Sequence, residues 1–146
     1  MNIKNFLTKE QQDQITQAIA EAEKKTSGEI RVHLEKKCKN IPEKRAIMIF
    51  NQLKMYATAQ RNGSLIYIAV EDRKFAVIGD KGINEIVPEN FWDSIRDQML
   101  ASFSTNDYTS GIVQGINVIG EKLKQHFPYQ SNDTNELTDE ISFNND

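Results

Sequence analysis

The chain has 146 residues and a net charge of −3, with 38% hydrophobic and 27% charged residues. This length suits one domain, because single cores usually split only beyond about 250 residues. The small negative charge argues against general nucleic-acid binding, which needs a basic face. Because Cys38 is the lone cysteine, the sequence excludes an internal disulfide and a cysteine-based metal cluster.

No segment of the sequence has the length of a membrane span. The longest apolar run, Leu65 to Val70, is far shorter than the roughly 20 residues that a spanning helix needs. The opening residues Met1 to Asn5 lead directly into polar, helix-like sequence and do not form a charged-then-apolar leader. We therefore expect no membrane span and a cytoplasmic location.

Charge is distributed unevenly along the chain. Residues 129–146 contain five acids and no Lys or Arg, so that the first 128 residues carry the balance of +2. This segment is also rich in Asn, Asp, Ser and Thr, which disfavours a core of its own. We predict a domain of residues 1–128 followed by an acidic C-terminal tail of residues 129–146, in which Leu137, Ile141 and Phe143 can still dock on the body.

The N-terminal half alternates helical and extended patterns. Thr8 and Gln11 form a capping-box pattern before apolar residues at helical spacing, which predicts a helix from about Lys9 to Lys25. Alternation of apolar and polar residues from Ile30 to Leu34 predicts a strand with one dry face. Pro42 is typical of a helix start, and the apolar stripe that follows it predicts a second helix.

The centre of the chain predicts a hairpin. Leu65 to Val70 lacks alternation, which indicates a strand covered on both faces. Only Glu71 to Lys74 separates it from the strand at Phe75 to Ile78, too few residues for a parallel crossover. Two helices then follow, the first opening at Pro88. The order α-β-α-β-β-α-α predicts an α/β fold, a three-layer α/β/α sandwich with a small mixed sheet and helices on both faces.

Five short stretches resemble the TPM domain family, whose members are α/β/α modules of bacteria, plant thylakoids and some animal membrane proteins. The stretches are Phe6-Leu7-Thr8, Thr26-Ser27-Gly28-Glu29-Ile30, Arg61-Asn62-Gly63, Glu71-Asp72-Arg73-Lys74, and Asn106-Asp107-Tyr108 with Gly111-Ile112. The ending of the chain is similar to a short stand-alone bacterial subgroup. The exit of the third strand departs from the family's usual pattern and reads Gly79-Asp80-Lys81-Gly82.

The resemblance implies calcium binding and, for the thylakoid relatives, acid phosphatase activity. In the predicted fold, the hairpin brings Glu29, Asn62 and Asp80 to one end of the sheet, and Asp107 can join them from the loop before the last helix. These hard oxygen donors suit Ca²⁺, with other divalent cations as alternatives. The competing interpretation is an ordinary Asn-Gly turn, a helix cap at Asp107 and a loop acid at Asp80.

Two functions remain open at this point. The favoured one is a calcium- or divalent-metal-binding interaction module with a protein partner that the sequence does not identify. The alternative is a metal-dependent phosphatase acting on phosphomonoesters, for which the predicted site offers Lys81 and Arg61 but no arranged group of cations.

Overall fold

A four-stranded mixed sheet with helices on both faces forms the domain in the computed structural model, which describes residues 2–130 and 136–144. The elements in chain order are α1 (Lys9–Glu23), β1 (Glu29–Glu35), α2 (Pro42–Gln52), β2 (Gly63–Ala69), β3 (Lys74–Gly79), α3 (Lys81–Asn84), α4 (Phe91–Phe103), α5 (Tyr108–His126) and β4 (Ser142–Asn144). The predicted α/β/α sandwich is confirmed.

The strand order in the sheet is β3-β2-β1-β4. Strand β1 runs parallel to β2, with Glu29 opposite Gly63, and β2 pairs antiparallel with β3, with Ser64 opposite Gly79. The predicted parallel unit and the predicted hairpin are therefore both present. The fourth strand, β4, is parallel to β1 and was not predicted.

Helix α1 begins as its capping pattern predicts. The backbone N–H of Gln11 donates to Thr8 Oγ1 at 3.1 Å, and the Thr8 N–H donates to Gln11 Oε1 at 2.9 Å. Its buried side chains, among them Ile15 and Ile19, pack in the core between the sheet and the layer that also contains α4 and α5. The helix ends at Glu23, two residues earlier than expected.

Strand β2 is buried along its whole length, as its continuous apolar sequence predicts. Ile66 and Ile68 belong to the core on the α1, α4 and α5 side, whereas Leu65 and Tyr67 belong to the core beneath α2. Each face of the strand is thus covered by helices, and β2 is the centre around which both cores form.

The predicted polar face of β1 is not exposed to solvent. Glu29, His33 and Glu35 are 2%, 3% and 1% exposed. The expectation of a strand with only one dry face was wrong, because the second face lies under α2 and the C-terminal segment rather than in water. Burial of these groups requires hydrogen-bonding partners, and those partners define the sites described below.

The described part of the C-terminal segment, residues 136–144, packs on the domain. Leu137 packs against the core beneath α2, and Ile141 and Phe143 pack against the opposite core. Residues 142–144 form β4 on the free edge of β1. Within the described ranges, no helix combines the length and apolarity needed to cross a bilayer.

Candidate functional site

Three of the four predicted site residues lie at one end of the sheet. The backbone N–H of Glu29 donates to the carbonyl oxygen of Asn62 at 3.2 Å, and the N–H of Asp80 donates to the carbonyl oxygen of Gly63 at 2.9 Å. These bonds follow from the parallel β1–β2 pairing and the β2–β3 hairpin. The predicted convergence of Glu29, Asn62 and Asp80 is therefore present at the level of the backbone.

Asp80 already has partners for both carboxylate oxygens. Arg61 donates from Nε to Asp80 Oδ2 at 2.7 Å and from Nη2 to Oδ1 at 3.0 Å. The Lys81 N–H also donates to Oδ1, at 2.8 Å, so that Asp80 caps the short helix α3. The hydrogen bond with Asp80 raises the pKa of Arg61. Asp80 thus has a structural role at this end of the sheet.

Asp107 lies apart from the other three residues. It caps α5, and its carboxylate accepts from the Ser110 N–H at 3.1 Å. Helix α5 has 19 residues, which corresponds to a length of about 28 Å. The far end of α5 is the one beside Glu29, because the Phe127 carbonyl accepts from the Ser27 N–H at 2.9 Å. The structure therefore does not bring Asp107 to the predicted site.

The side-chain oxygen of Asn62 is an unsatisfied hydrogen-bond acceptor among the described residues. Its side chain is 1% exposed, and its Nδ2 donates to Ser27 Oγ at 3.4 Å. The Oδ1 atom is buried and has no hydrogen-bond partner among residues 2–130 and 136–144. A buried acceptor in this state costs about 1–3 kcal/mol relative to a satisfied one, and a cation or a water molecule would satisfy it.

The C-terminal segment covers Glu29. The carboxylate of Glu29 accepts hydrogen bonds from the backbone N–H groups of Glu136 and Leu137. Glu136 in turn accepts at Oε2 from the Ala59 N–H at 2.9 Å. A Cβ added to Gly63 would lie 3.8 Å from Leu137 Cδ1, so the segment passes directly over the start of β2.

A group of three carboxyls forms beneath this segment. Glu23, at the end of α1, lies within hydrogen-bonding reach of the carboxyls of Glu29 and Asp139, and its Oε2 accepts from the Ile30 N–H at 2.9 Å. We call Glu23, Glu29 and Asp139 the carboxyl cluster. The Glu23 carboxylate therefore bonds to the backbone of β1 at Ile30, and β4 pairs with β1 only from His33 onward.

The carboxyl cluster has perturbed acidities. Burial, followed by the carboxyls of Asp139 and Glu29, raises the pKa of Glu23 to about 11. Burial also raises the pKa of Glu29, although hydrogen bonds from Glu23 and from the backbone of Glu136 and Leu137 oppose the rise. At neutral pH Glu23 is consequently protonated and can donate to a neighbouring carboxylate. Across residues 2–130 and 136–144, no three Asp, Glu, His or Cys side chains form a ready-made metal site.

A second buried polar network occupies the other end of β1. Arg45 donates to both oxygens of Glu35, at 2.8 and 2.9 Å, and the Tyr67 hydroxyl donates to Oε2. His33 Nε2 lies 3.2 Å from Glu35 Oε1, and His33 Nδ1 lies 2.8 Å from Ser142 Oγ, so that His33 links the two side chains. Burial alone would raise the pKa of Glu35, but the bonds from His33, Arg45 and Tyr67 outweigh it and lower the pKa to about 2.

Sequence reasoning missed Glu23 and Asp139. Glu23 falls at the end of a helix that was expected to continue to Lys25, and Asp139 lies in a segment that was predicted only to be an acidic tail. One available signal was the placement of Leu137, Ile141 and Phe143 among the acids, because apolar residues that dock bring their acidic neighbours onto the body.

Comparisons with known proteins agree with the fold. A family model described as the TPM domain, which carries the word phosphatase in its name, matches residues 2–122. The BA42 protein from the psychrophilic bacterium Bizionia argentinensis, solved by NMR, is 45% identical over 97% of this chain and 98% of its own, with a TM-score of 0.91. A search of the curated proteins found no match.

Two further solved structures are similar in fold alone. The N-terminal domain of the cg2496 protein from Corynebacterium glutamicum is 13% identical over 81% of this chain and 74% of its own, with a TM-score of 0.65. The N-terminal domain of a protein from P. gingivalis is 17% identical over 85% and 82%, with a TM-score of 0.67.

Proposed function

We propose that this chain, which belongs to the TPM domain family, is a divalent-cation-binding interaction module that holds Ca²⁺ at the end of the sheet marked by Glu29. The observation that supports the proposal is the contact of three carboxyls, those of Glu23, Glu29 and Asp139. Burial and the repulsion between ionised carboxyls in such contact hold Glu23 protonated at neutral pH, and a divalent cation can displace this proton and bind between the carboxylates.

The donor set suits calcium better than magnesium. Ca²⁺ accepts six to eight oxygen ligands in variable geometry, whereas Mg²⁺ requires a near-ideal octahedron. The carboxyl cluster supplies acidic oxygens from a helix end, a strand start and the C-terminal segment. Asn62 adds a buried oxygen to which no described residue donates a hydrogen bond. Ligands from such separate elements favour an ion that tolerates irregular distances.

The proposed ligands differ in part from those predicted from the sequence. Glu29 and Asn62 remain in the set. Asp80 fits less well because Arg61 and the Lys81 N–H already use both of its oxygens. Asp107 fits least well because it caps α5 at the far end of the domain. Glu23 and Asp139 take the places of these two acids.

The interaction part of the proposal concerns the outer face of α2. Ala46, Ile49 and Phe50 of this helix are buried against the sheet. Ile47 and Met48 are 53% and 47% exposed, and neighbouring exposed apolar side chains are typical of surfaces that bind other proteins. We place the protein partner on this face. The net charge of −3 supports a partner other than nucleic acid, and a cytoplasmic location remains an expectation from the sequence.

A metal-dependent phosphatase is the second candidate, favoured by the name of the matching family model. A phosphatase needs cations that contact the phosphate oxygens. Near the carboxyl cluster, Arg31 donates to the Glu140 carbonyl at 3.5 Å and Arg61 is paired with Asp80. Arg61 is committed to Asp80, whereas the buried Nε of Arg31 has no hydrogen-bond partner among the described residues. One such guanidinium is not an arranged group of cations, so we rank hydrolysis below cation binding.

One titration tests the proposal. Ca²⁺ is added to the full ¹⁵N-labelled chain at neutral pH while backbone amide shifts are followed, and Mg²⁺ is added in a parallel series. We expect saturable Ca²⁺ shifts centred on Glu23, Glu29, Asn62 and Asp139, with weaker effects of Mg²⁺. Shifts centred on Glu71 and Asp72, or none at all, contradict the proposal. Hydrolysis of a phosphomonoester that stops on chelation would support the second candidate instead.

A further inference from the structure

An apolar cavity lies at the end of the sheet opposite Glu29. It has a volume of about 200 Å³, and Ile68 and Phe75 from the β2–β3 hairpin form part of its wall. Leu100 and Phe103 from α4 and Tyr108 from α5 complete the apolar lining. This cavity shares no residue with the carboxyl cluster, and its use is independent of the proposed function.

The walls of the cavity are held in place by aromatic packing. The ring centroids of Phe75 and Phe103 lie 4.8 Å apart with the planes at 81°, and those of Phe103 and Tyr108 lie 5.3 Å apart. Tyr108 also packs edge-on against Phe6. Ile68, Phe75 and Phe103 are buried, so the cavity is pre-formed rather than created by side-chain movement.

The rim of the cavity is positively charged. Arg73 lines it from the hairpin turn, is exposed, and makes no hydrogen bond or ion pair with the described residues. The Arg96 guanidinium lies 6.0 Å from the centroid of the Phe75 ring but is not part of the cavity lining. Lys74 is committed elsewhere, since its Nζ donates to the Cys38 carbonyl at 3.0 Å.

The acids nearest to Arg73 in sequence, Glu71 and Asp72, form no ion pair with it within the described residues. The Asp72 carboxylate accepts from the Cys38 N–H at 2.7 Å, and the Asp107 carboxylate accepts from the Ser110 N–H at 3.1 Å. An arginine that is unpaired among the described residues and lies beside apolar walls is complementary to a ligand that has one apolar part and one anionic group.

We propose that this cavity binds a small carboxylate that carries one aromatic ring or a short aliphatic chain. A cavity of about 150 Å³ is enough to hold benzene, so this one has room for a single ring or a chain of about six carbons. The apolar part of the ligand lies against Phe75, Phe103 and Leu100, and its carboxylate pairs with Arg73. A long-chain fatty acid exceeds the volume.

Benzoate and hexanoate are the probes that test this proposal, added to the full ¹⁵N-labelled chain. We expect saturable shifts of the amides of Phe75, Leu100, Phe103 and Tyr108, with a Kd of about 1 mM, as expected for so small a ligand. Benzyl alcohol, which keeps the ring without the charge, is expected to bind about tenfold more weakly. Acetate, which lacks the apolar part, is expected to cause no saturable shift.

Two variants of Arg73 test whether its charge contributes to binding, and the second serves if the first does not fold. Arg73→Gln is expected to weaken benzoate binding about tenfold and to leave benzyl alcohol unchanged. Arg73→Gly removes the same cation and also relieves the left-handed backbone of Arg73, whose φ is 53°, so it will fold if Arg73→Gln does not. Lys44→Gln, an exposed lysine on α2, is the matched control and should have no effect.

Three results would overturn the proposal. The first is the absence of saturable shifts at concentrations well above the millimolar range. The second is equal affinity for benzoate and benzyl alcohol, which removes the role of Arg73. The third is shifts centred on the Glu29 end of the sheet, which moves the ligand to another site. Because none of these results involves a metal ion, they leave the calcium proposal unaffected.

Discussion

The backbone N–H of Glu136 donates a hydrogen bond to Glu29 Oε1, across a separation of 107 residues. Through this bond and the neighbouring bond from Leu137, the start of β1 holds the C-terminal segment against the domain. Glu29 therefore has two roles in our account: it anchors the segment, and it belongs to the carboxyl cluster beneath it. Under the proposed function, cation binding at the cluster would therefore be coupled to the position of the C-terminal segment.

Deletion of residues 132–146 should weaken the domain without unfolding it. The deletion removes the half-buried contacts of Leu137, Ile141 and Phe143 and the strand β4. Half-burial of three such side chains contributes about 3 kcal/mol to the free energy of unfolding. Chemical denaturation of the two chains measures the difference, and a truncated chain with unchanged stability would show that the segment does not dock in solution.

Replacement of Glu35 by Gln should remove an acid-sensitive part of the stability. The pKa of Glu35 is lowered from its ordinary value to about 2 in the folded state, so this stability is fully present above about pH 4.5 and lost as the pH falls toward 2. We expect Glu35→Gln to cost about 3 kcal/mol near pH 7 and progressively less at lower pH. Denaturation curves across this range measure it.

Glu43→Gln, on the exposed side of α2, is the control for the Glu35 experiment. It should change stability little at any pH in the range, because the carboxylate of Glu43 is in solvent. If Glu35→Gln and the wild type lose stability in parallel as the pH falls, the network of Arg45, Tyr67 and His33 does not hold the carboxylate in its ionised form.

Asp80→Asn should alter stability more than cation binding. The asparagine keeps an oxygen that can accept from the Lys81 N–H, and it loses the charge and the Oδ2 acceptor that pair with Arg61, whose side chain is 38% exposed. A pair at this exposure contributes about 1 kcal/mol. We expect a loss of that size in denaturation experiments and a calcium affinity within about twofold of the wild type. A large loss of affinity would return Asp80 to the ligand set.

The secondary structure was predictable wherever the signal was local. The capping box at Thr8, the continuous apolar run of β2 and the short connection to β3 each specify an element or its direction within a few residues. Strand β4 has only three residues, and its position depends on the free edge of β1 rather than on its own pattern. A segment of three residues is too short to show a periodicity that would predict its pairing with β1.

The candidate site was only partly predictable. Hairpin geometry places Glu29, Asn62 and Asp80 together because consecutive strands determine the end at which their loops lie. The loop before α5 is not constrained by the hairpin, and its end of the sheet depends on the direction in which α5 packs. For that reason Asp107 was expected at the wrong end of the sheet. The contact of Glu23 with Asp139 was not predicted, because it depends on where the C-terminal segment packs.

Calorimetric titration of Ca²⁺ into the wild type, Glu29→Gln and Asp107→Asn tests the central claim most directly. The glutamine keeps one oxygen that can accept from the Glu136 N–H, and it loses the charge and the second acceptor oxygen, so the C-terminal segment retains that one anchoring bond. We predict that Glu29→Gln lowers the affinity at least about tenfold, because the site loses a charged ligand, and that Asp107→Asn leaves it unchanged. Equal losses in both variants, or undiminished binding in Glu29→Gln, would contradict the account.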